Sequence, residues 1–162
     1  MPNELAFSCD GRRLFFTDSF AHTVHAFDYD AKTGKTENQR VFLQTNPKDG
    51  FPDGLTVDAE DHLWLAAWGS ACVLRYSPNG RETMRLPVPT YLVARLTFGS
   101  DDLRTLFITT AGGDERAEGE YAGALFEALT LAASIESTSE TAHRGVTAAA
   151  EFSEASARTP RI

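Results

Sequence analysis

Two oxygen-bearing side chains, Asn3 and Asp53, occupy the same register of an internal repeat. Each follows a proline and stands two residues ahead of a leucine that opens an alternating apolar run, in "PNELAFSCDGRRLFFTD" (residues 2–18) and "PDGLTVDAEDHLWLAAW" (residues 52–68). Where repeated units are arranged around an axis, residues in one register face one shared cavity. Pro2 and Pro52 fix φ ahead of the two polar residues, and Gly54 is expected to leave room for a ligand. Carboxylate and amide oxygens are hard donors that suit Ca²⁺, Mg²⁺ or Mn²⁺, with Zn²⁺ accessible through the carboxylate. Pro-Asn and Pro-Asp-Gly are also everyday turn formers, so a turn reading stands beside the ligand reading. Pro78-Asn79-Gly80 has the same letters, but it lies between the third and fourth strands of a unit, where a hairpin turn is wanted.

The other candidate groups point to structure. His22, His25 and His62 lie in or beside strands without metal-ligand spacing and are read as surface or hydrogen-bonded residues. Asp18-Ser19 and Asp28-Tyr29-Asp30 close strands, where their oxygens satisfy turn amides. Trp64, Trp68, Phe15, Phe16 and Phe107 alternate as residues packed between sheets should, with ligand stacking by Trp68 the minor alternative. Residues 114–120, "DERAEGE", read as a solvated loop. Cys9 and Cys72 are too few for a disulfide framework and lack zinc or redox spacing, so both are read as small buried residues. No GxSxG, P-loop, GxGxxG or HExxH motif is present.

These residues are carried by a unit that recurs three times, as "LAFSCDGRRLFFTDSF", "LTVDAEDHLWLAAWGS" and "RLTFGSDDLRTLFITTA". Each copy reads as an alternating strand, a polar turn and a second strand rich in aromatic, β-branched and leucine residues. Downstream, "TVHAFDYDAKTGK" and "CVLRYSPNGRETMRL" each add a third strand, a glycine turn and the start of a fourth. Four-stranded antiparallel units at a period of roughly 40–50 residues match propeller blades better than helical solenoids. The expected fold is all-β, a partial β-propeller of about three blades over residues 1–129. Residues 130–162, rich in Ala, Ser, Thr and Glu, are expected to form an irregular, disordered or loosely helical tail.

Fifteen basic and twenty-three acidic residues give a net charge of −8, which repels phosphate backbones and argues against nucleic-acid partners. No run approaches the ~18 apolar residues of a membrane span, and no signal-peptide layout opens the chain, so membrane partners are not expected and the reading is cytoplasmic.

Residues 2 to about 128 resemble the senescence marker protein / gluconolactonase / luciferin-regenerating-enzyme group, also called regucalcin-like. The likeness rests on "PNELAFSCDGRRLFFTDSFAHTVHAFDYDAKTG", "GFPDGLTVDAEDHLWLAAWGSACVLRYSPNG", "LPVP" and "DLRTLFITTA". The resemblance implies a six-bladed propeller fold and hydrolysis of sugar lactones with one divalent metal ion in the central channel. It assigns Asn3 and Asp53 as metal ligands, with Asp53 also the general base. The group's remaining ligand and its sugar-holding residues find no counterpart here, so the chain is expected to be a truncated form with weak or absent turnover alone. Glu4 stands where the group has glycine, adding a side chain beside the channel mouth. Two alternatives stand beside the hydrolase: a half-propeller binding module that pairs with a second copy or a complementary half, and a remnant that folds poorly because its edges are exposed.

Overall fold

The computed structural model describes residues 1–112, residues 121–130 and the backbone of Phe152–Glu154. Twelve strands form three four-stranded antiparallel sheets among these residues. The first sheet runs β1 (Pro2–Phe7), β2 (Arg13–Asp18), β3 (Thr23–Asp30) and β4 (Lys35–Gln44) in chain order. The second runs β5 (Phe51–Val57), β6 (Leu63–Trp68), β7 (Cys72–Tyr76) and β8 (Glu82–Pro87), and the third β9 (Val93–Gly99), β10 (Thr105–Thr110), β11 (Leu125–Leu129) and β12 (Phe152–Glu154). A single 3₁₀ turn, Pro47–Asp49, joins the first two sheets, and its amide at Lys48 is capped by the Asn46 side chain at 3.0 Å. Each sheet is a simple meander, because consecutive strands linked by short polar turns pair with their sequence neighbours. At Pro78-Asn79-Gly80 the chain reverses between β7 and β8, with the Gly80 amide donating to the Ser77 carbonyl at 2.8 Å and Gly80 at φ 80°.

Strand alternation explains the stacking of the sheets. On the first sheet, Phe15, Val24 and Ala26 pack against Leu55, Leu63, Leu65 and Leu74 of the second. The opposite face of the second sheet carries Trp64, Ala66 and Val73, which pack against Leu96, Leu106, Ile108 and Phe126 of the third. Because β6 contributes to both layers, "LWLAAW" is apolar throughout, whereas the outer strands alternate. Each fully buried Leu or Phe in these layers stabilises the stack by about 1.5–3 kcal/mol. β1, β5 and β9, the first strand of each sheet, lie side by side, so the three sheets fan out from a common inner edge as propeller blades do.

The tail departs from expectation in one place. Phe152–Glu154 is extended and pairs with β11, Phe126 opposite Glu154 and Ala128 opposite Phe152, where an irregular or helical segment was expected. The free edge of β11 offers unpaired backbone groups, and a short extended segment satisfies them without needing the alternation that marks a strand in sequence. The rest of the tail beyond Thr130, and the "DERAEGE" segment, lie outside the described residues.

Candidate functional site

The register of the first strands positions the site. In β1, Pro2 is opposite Asp18 and Leu5 opposite Phe16; in β5, Pro52 is opposite Ala67 and Leu55 opposite Leu65. Each first strand thus spends one residue more than its partner at the same point of the repeat. β9 does likewise, with Val93 opposite Thr110 and Arg95 opposite Thr109. Such a bulge interrupts the ladder and re-aims a side chain. Asn3 and Asp53 sit in these bulges, inside the strands and not ahead of them as the sequence suggested, and Ala94 holds the equivalent place in the third sheet.

The bulges bring Asn3 and Asp53 together although 50 residues separate them. The Asn3 amide nitrogen donates both to an Asp53 carboxylate oxygen and to the Ser19 hydroxyl, the latter at 3.1 Å. Both side chains are half-buried, and Ser19 is buried. Burial pushes the Asp53 carboxyl above its ordinary range, and the hydrogen bond from Asn3 partly opposes that rise. Ser19 was read as a strand-closing residue. Its place beside the site follows from β1 pairing with the end of β2, where Pro2 faces Asp18.

Gly54 plays a different part from the one expected of it. A Cβ there would meet the Ala94 carbonyl oxygen at 2.6 Å and the Arg95 Cα at 2.8 Å, so its missing side chain admits the backbone of β9 and not a ligand. The positions equivalent to Gly54 are Glu4 and Arg95, and these two form an ion pair that joins the first blade to the third across the second. The charge that Glu4 adds beside the channel mouth is therefore paired.

A second acidic group, Asp58, Glu60 and His62, gathers in the turn between β5 and β6. Asp58 is fully buried, and hydrogen bonds fill its carboxylate. One oxygen accepts from the amides of Glu60 at 3.0 Å and His62 at 2.9 Å. The other accepts from Trp64 Nε1 at 2.8 Å, Arg75 Nε at 2.8 Å and Arg75 Nη2 at 2.6 Å. Arg75 also reaches Glu60 at 2.7 Å. The guanidinium occupies the place a cation would take, so this cluster anchors the turn to β7. Among the described residues, the other two histidines, His22 and His25, pack on aromatic rings. His25 stacks on Phe16, and the His22 ring stacks on Phe51 at 4.9 Å while its buried Nδ1 makes no hydrogen bond among the described residues. Cys72 is buried as expected; Cys9 is only partly so, its thiol donating to the Asp58 carbonyl.

Residues 1–112 fit the model of the SMP-30/Gluconolactonase/LRE-like region. The chain belongs to this family. The pentonolactonase XacC of Haloferax volcanii is 40% identical over 134 residues, covering 78% of this chain and 46% of that protein. A regucalcin of Xenopus laevis is 35% identical over 118 residues, covering 71% and 40%. The crystal structure of a calcium-binding protein, regucalcin, from Agrobacterium tumefaciens superimposes with a TM-score of 0.75 at 30% identity, over 82% of this chain and 46% of that one. The chain thus spans less than half the length of these family members. No helix among the described residues is long and apolar enough to cross a membrane.

Proposed function

We propose that Asn3 and Asp53 are ligands of a divalent-cation centre that hydrolyses sugar lactones. The observation carrying this reading is the meeting of the two side chains from successive blades beside the buried Ser19 hydroxyl. The donor set is one carboxylate, one amide and one hydroxyl, all oxygen, which fits Ca²⁺, Mg²⁺ or Mn²⁺ and admits Zn²⁺ through the carboxylate. Rotating the Asn3 amide by a half-turn presents its oxygen beside Asp53, and Ser19 suits either orientation because a hydroxyl both donates and accepts. Similarity to a pentonolactonase supports the lactone as substrate class.

The cation, when bound, supplies Lewis acidity at the ring carbonyl and at a water molecule. Asp53 has two carboxylate oxygens, one to hold the cation and one to take a proton from the attacking water. Without the cation, burial holds the Asp53 carboxyl above its ordinary range, and a bound cation would oppose that rise. As the water oxygen bonds to the carbonyl carbon, the ring carbon–oxygen bond breaks, and the proton passes to the departing ring oxygen to give a hydroxy acid. Until a cation binds, the Asn3 amide nitrogen holds the Asp53 carboxylate through its hydrogen bond.

Even with the Ser19 hydroxyl beside Asn3 and Asp53, at least half of the ~6–8 oxygen positions of Ca²⁺ are left to water, so binding to the single chain is expected to be weak, with Kd about 10⁻⁴–10⁻³ M. Calorimetric titration with Ca²⁺ and Mn²⁺, alongside pentonolactone and gluconolactone opening, tests the proposal. Asp53→Ala should weaken cation binding at least about tenfold and remove whatever turnover the chain has. Cation binding and turnover left intact by Asp53→Ala would overturn it.

A further inference from the structure

Asp53 is not alone in reaching from β5 to the first blade. Two residues earlier, the Phe51 ring stacks on His22 at 4.9 Å and 23° and meets the Phe20 ring at 6.0 Å and 70°. Phe20 and His22 belong to the turn between β2 and β3, which opens at Ser19, the residue whose hydroxyl accepts from Asn3. Two layers of contact therefore cross from the first blade to the second: the polar pair of Asn3 and Asp53, and the three rings next to it. Two residues of strand rise by roughly 6–7 Å, a span that a lactone ring covers.

The repeat shows that the fold does not require these rings. At the interface of the second and third blades, the places of Phe20, His22 and Phe51 are taken by Gly69, Ala71 and Leu92. Ala94 stands there in the place of Asp53, so that interface has neither the polar pair nor the rings. The turn itself is the same, with His22 at φ 51° and Ala71 at φ 52°, and only its side chains differ. The His22 ring is placed at a cost, since its buried Nδ1 has no hydrogen-bond partner among the described residues. With both contacts made, Phe51 is still 41% exposed, in the blade that is packed on either side by a described neighbour.

We propose that Phe51, braced by His22 and Phe20, is the wall on which the apolar C–H face of a sugar-lactone ring stacks beside Asp53. The choice of occupant rests on the lactone reading above. A sugar ring carries C–H groups on its faces and hydroxyls around its rim, and an aromatic ring takes such a face through dispersion and its negative π surface. The rings supply what the polar pair lacks, a surface that orients the part of the substrate that does not react. Phe51 is thus a substrate-binding residue, contributed by the same strand as Asp53.

NMR titration of the full chain with D-glucose in metal-free buffer tests it, because glucose has the ring but no ester to open. The Phe51 and Phe20 ring signals should shift together and saturate. Phe51→Leu gives this interface the residue that the next one carries at Leu92, so the chain should fold as before while glucose binding weakens at least about threefold; Phe51→Trp should restore it. Ca²⁺ affinity by calorimetry should be the same in all three chains. The titration uses no metal, so the cation centre and the ring wall can fail separately. No shift of these rings up to about 0.1 M glucose, equal glucose affinity in Phe51→Leu and wild type, or no restoration by Phe51→Trp would each overturn the proposal. So would a parallel loss of Ca²⁺ affinity in Phe51→Leu, which would make Phe51 a support of the polar pair and not a wall for the sugar.

Discussion

Asp53, proposed above as ligand and base, carries a stability cost. Burial raises its pKa in the folded chain, so the fold favours the protonated carboxyl over the carboxylate. Its contribution to stability is then complete below the carboxyl's unfolded-state pKa and is lost as pH rises through the folded-state value. An asparagine at this place keeps the shape and a partner for Asn3 but cannot ionise. Asp53→Asn is therefore expected to melt at a higher temperature than wild type near pH 7, with the difference closing near pH 3, as scanning calorimetry would show. The same substitution should abolish the cation response, a trade of function against stability. Asn3 and Asp53 were legible in the sequence because a repeat places like letters in like positions. The burial of Asp58 was not: "DAEDH" has the letters of an exposed turn, and only the approach of Arg75 and Trp64 from other strands makes it an internal anchor.

The strands were legible from alternation, but the bulges in β1, β5 and β9 were not. Pro-Asn-Glu and Pro-Asp-Gly share only their proline and a polar residue after it, and Val-Ala-Arg in the third sheet shares neither. What they share is a position at the inner edge, where three first strands converge and each must twist away from its own hairpin. This convergence explains Gly54. A methyl group there would press on the Ala94 and Arg95 backbone, which cannot give way without moving β9. Gly54→Ala should therefore destabilise the chain by about 1–3 kcal/mol in urea unfolding with an unchanged m value. Loss of the turn conformation is not the cause, because Gly54 is not among the glycines at positive φ.

Among the described residues, the second blade is covered on both faces and the first and third on one each. Opening the second blade must break both apolar layers. In dilute solution, amides of β6 and β7 should exchange with deuterium about tenfold or more slowly than those of β2, β3, β10 and β11. Equal exchange across the three blades would show that they open together. Composition, alternation and the period of the repeat already specified strands, hairpins and a radial stack, since these depend on interactions between residues near in sequence or on a pattern that neighbours enforce. The contact of Asn3 with Asp53, the tie between Glu4 and Arg95 across Gly54, and the seat of Asp58 on Arg75 emerged only once the blades were stacked. The first two of these contacts join strands of different sheets and the third joins a turn to a strand, and each distance is set by the twist, bulge and spacing of the strands, quantities that no single stretch of letters encodes.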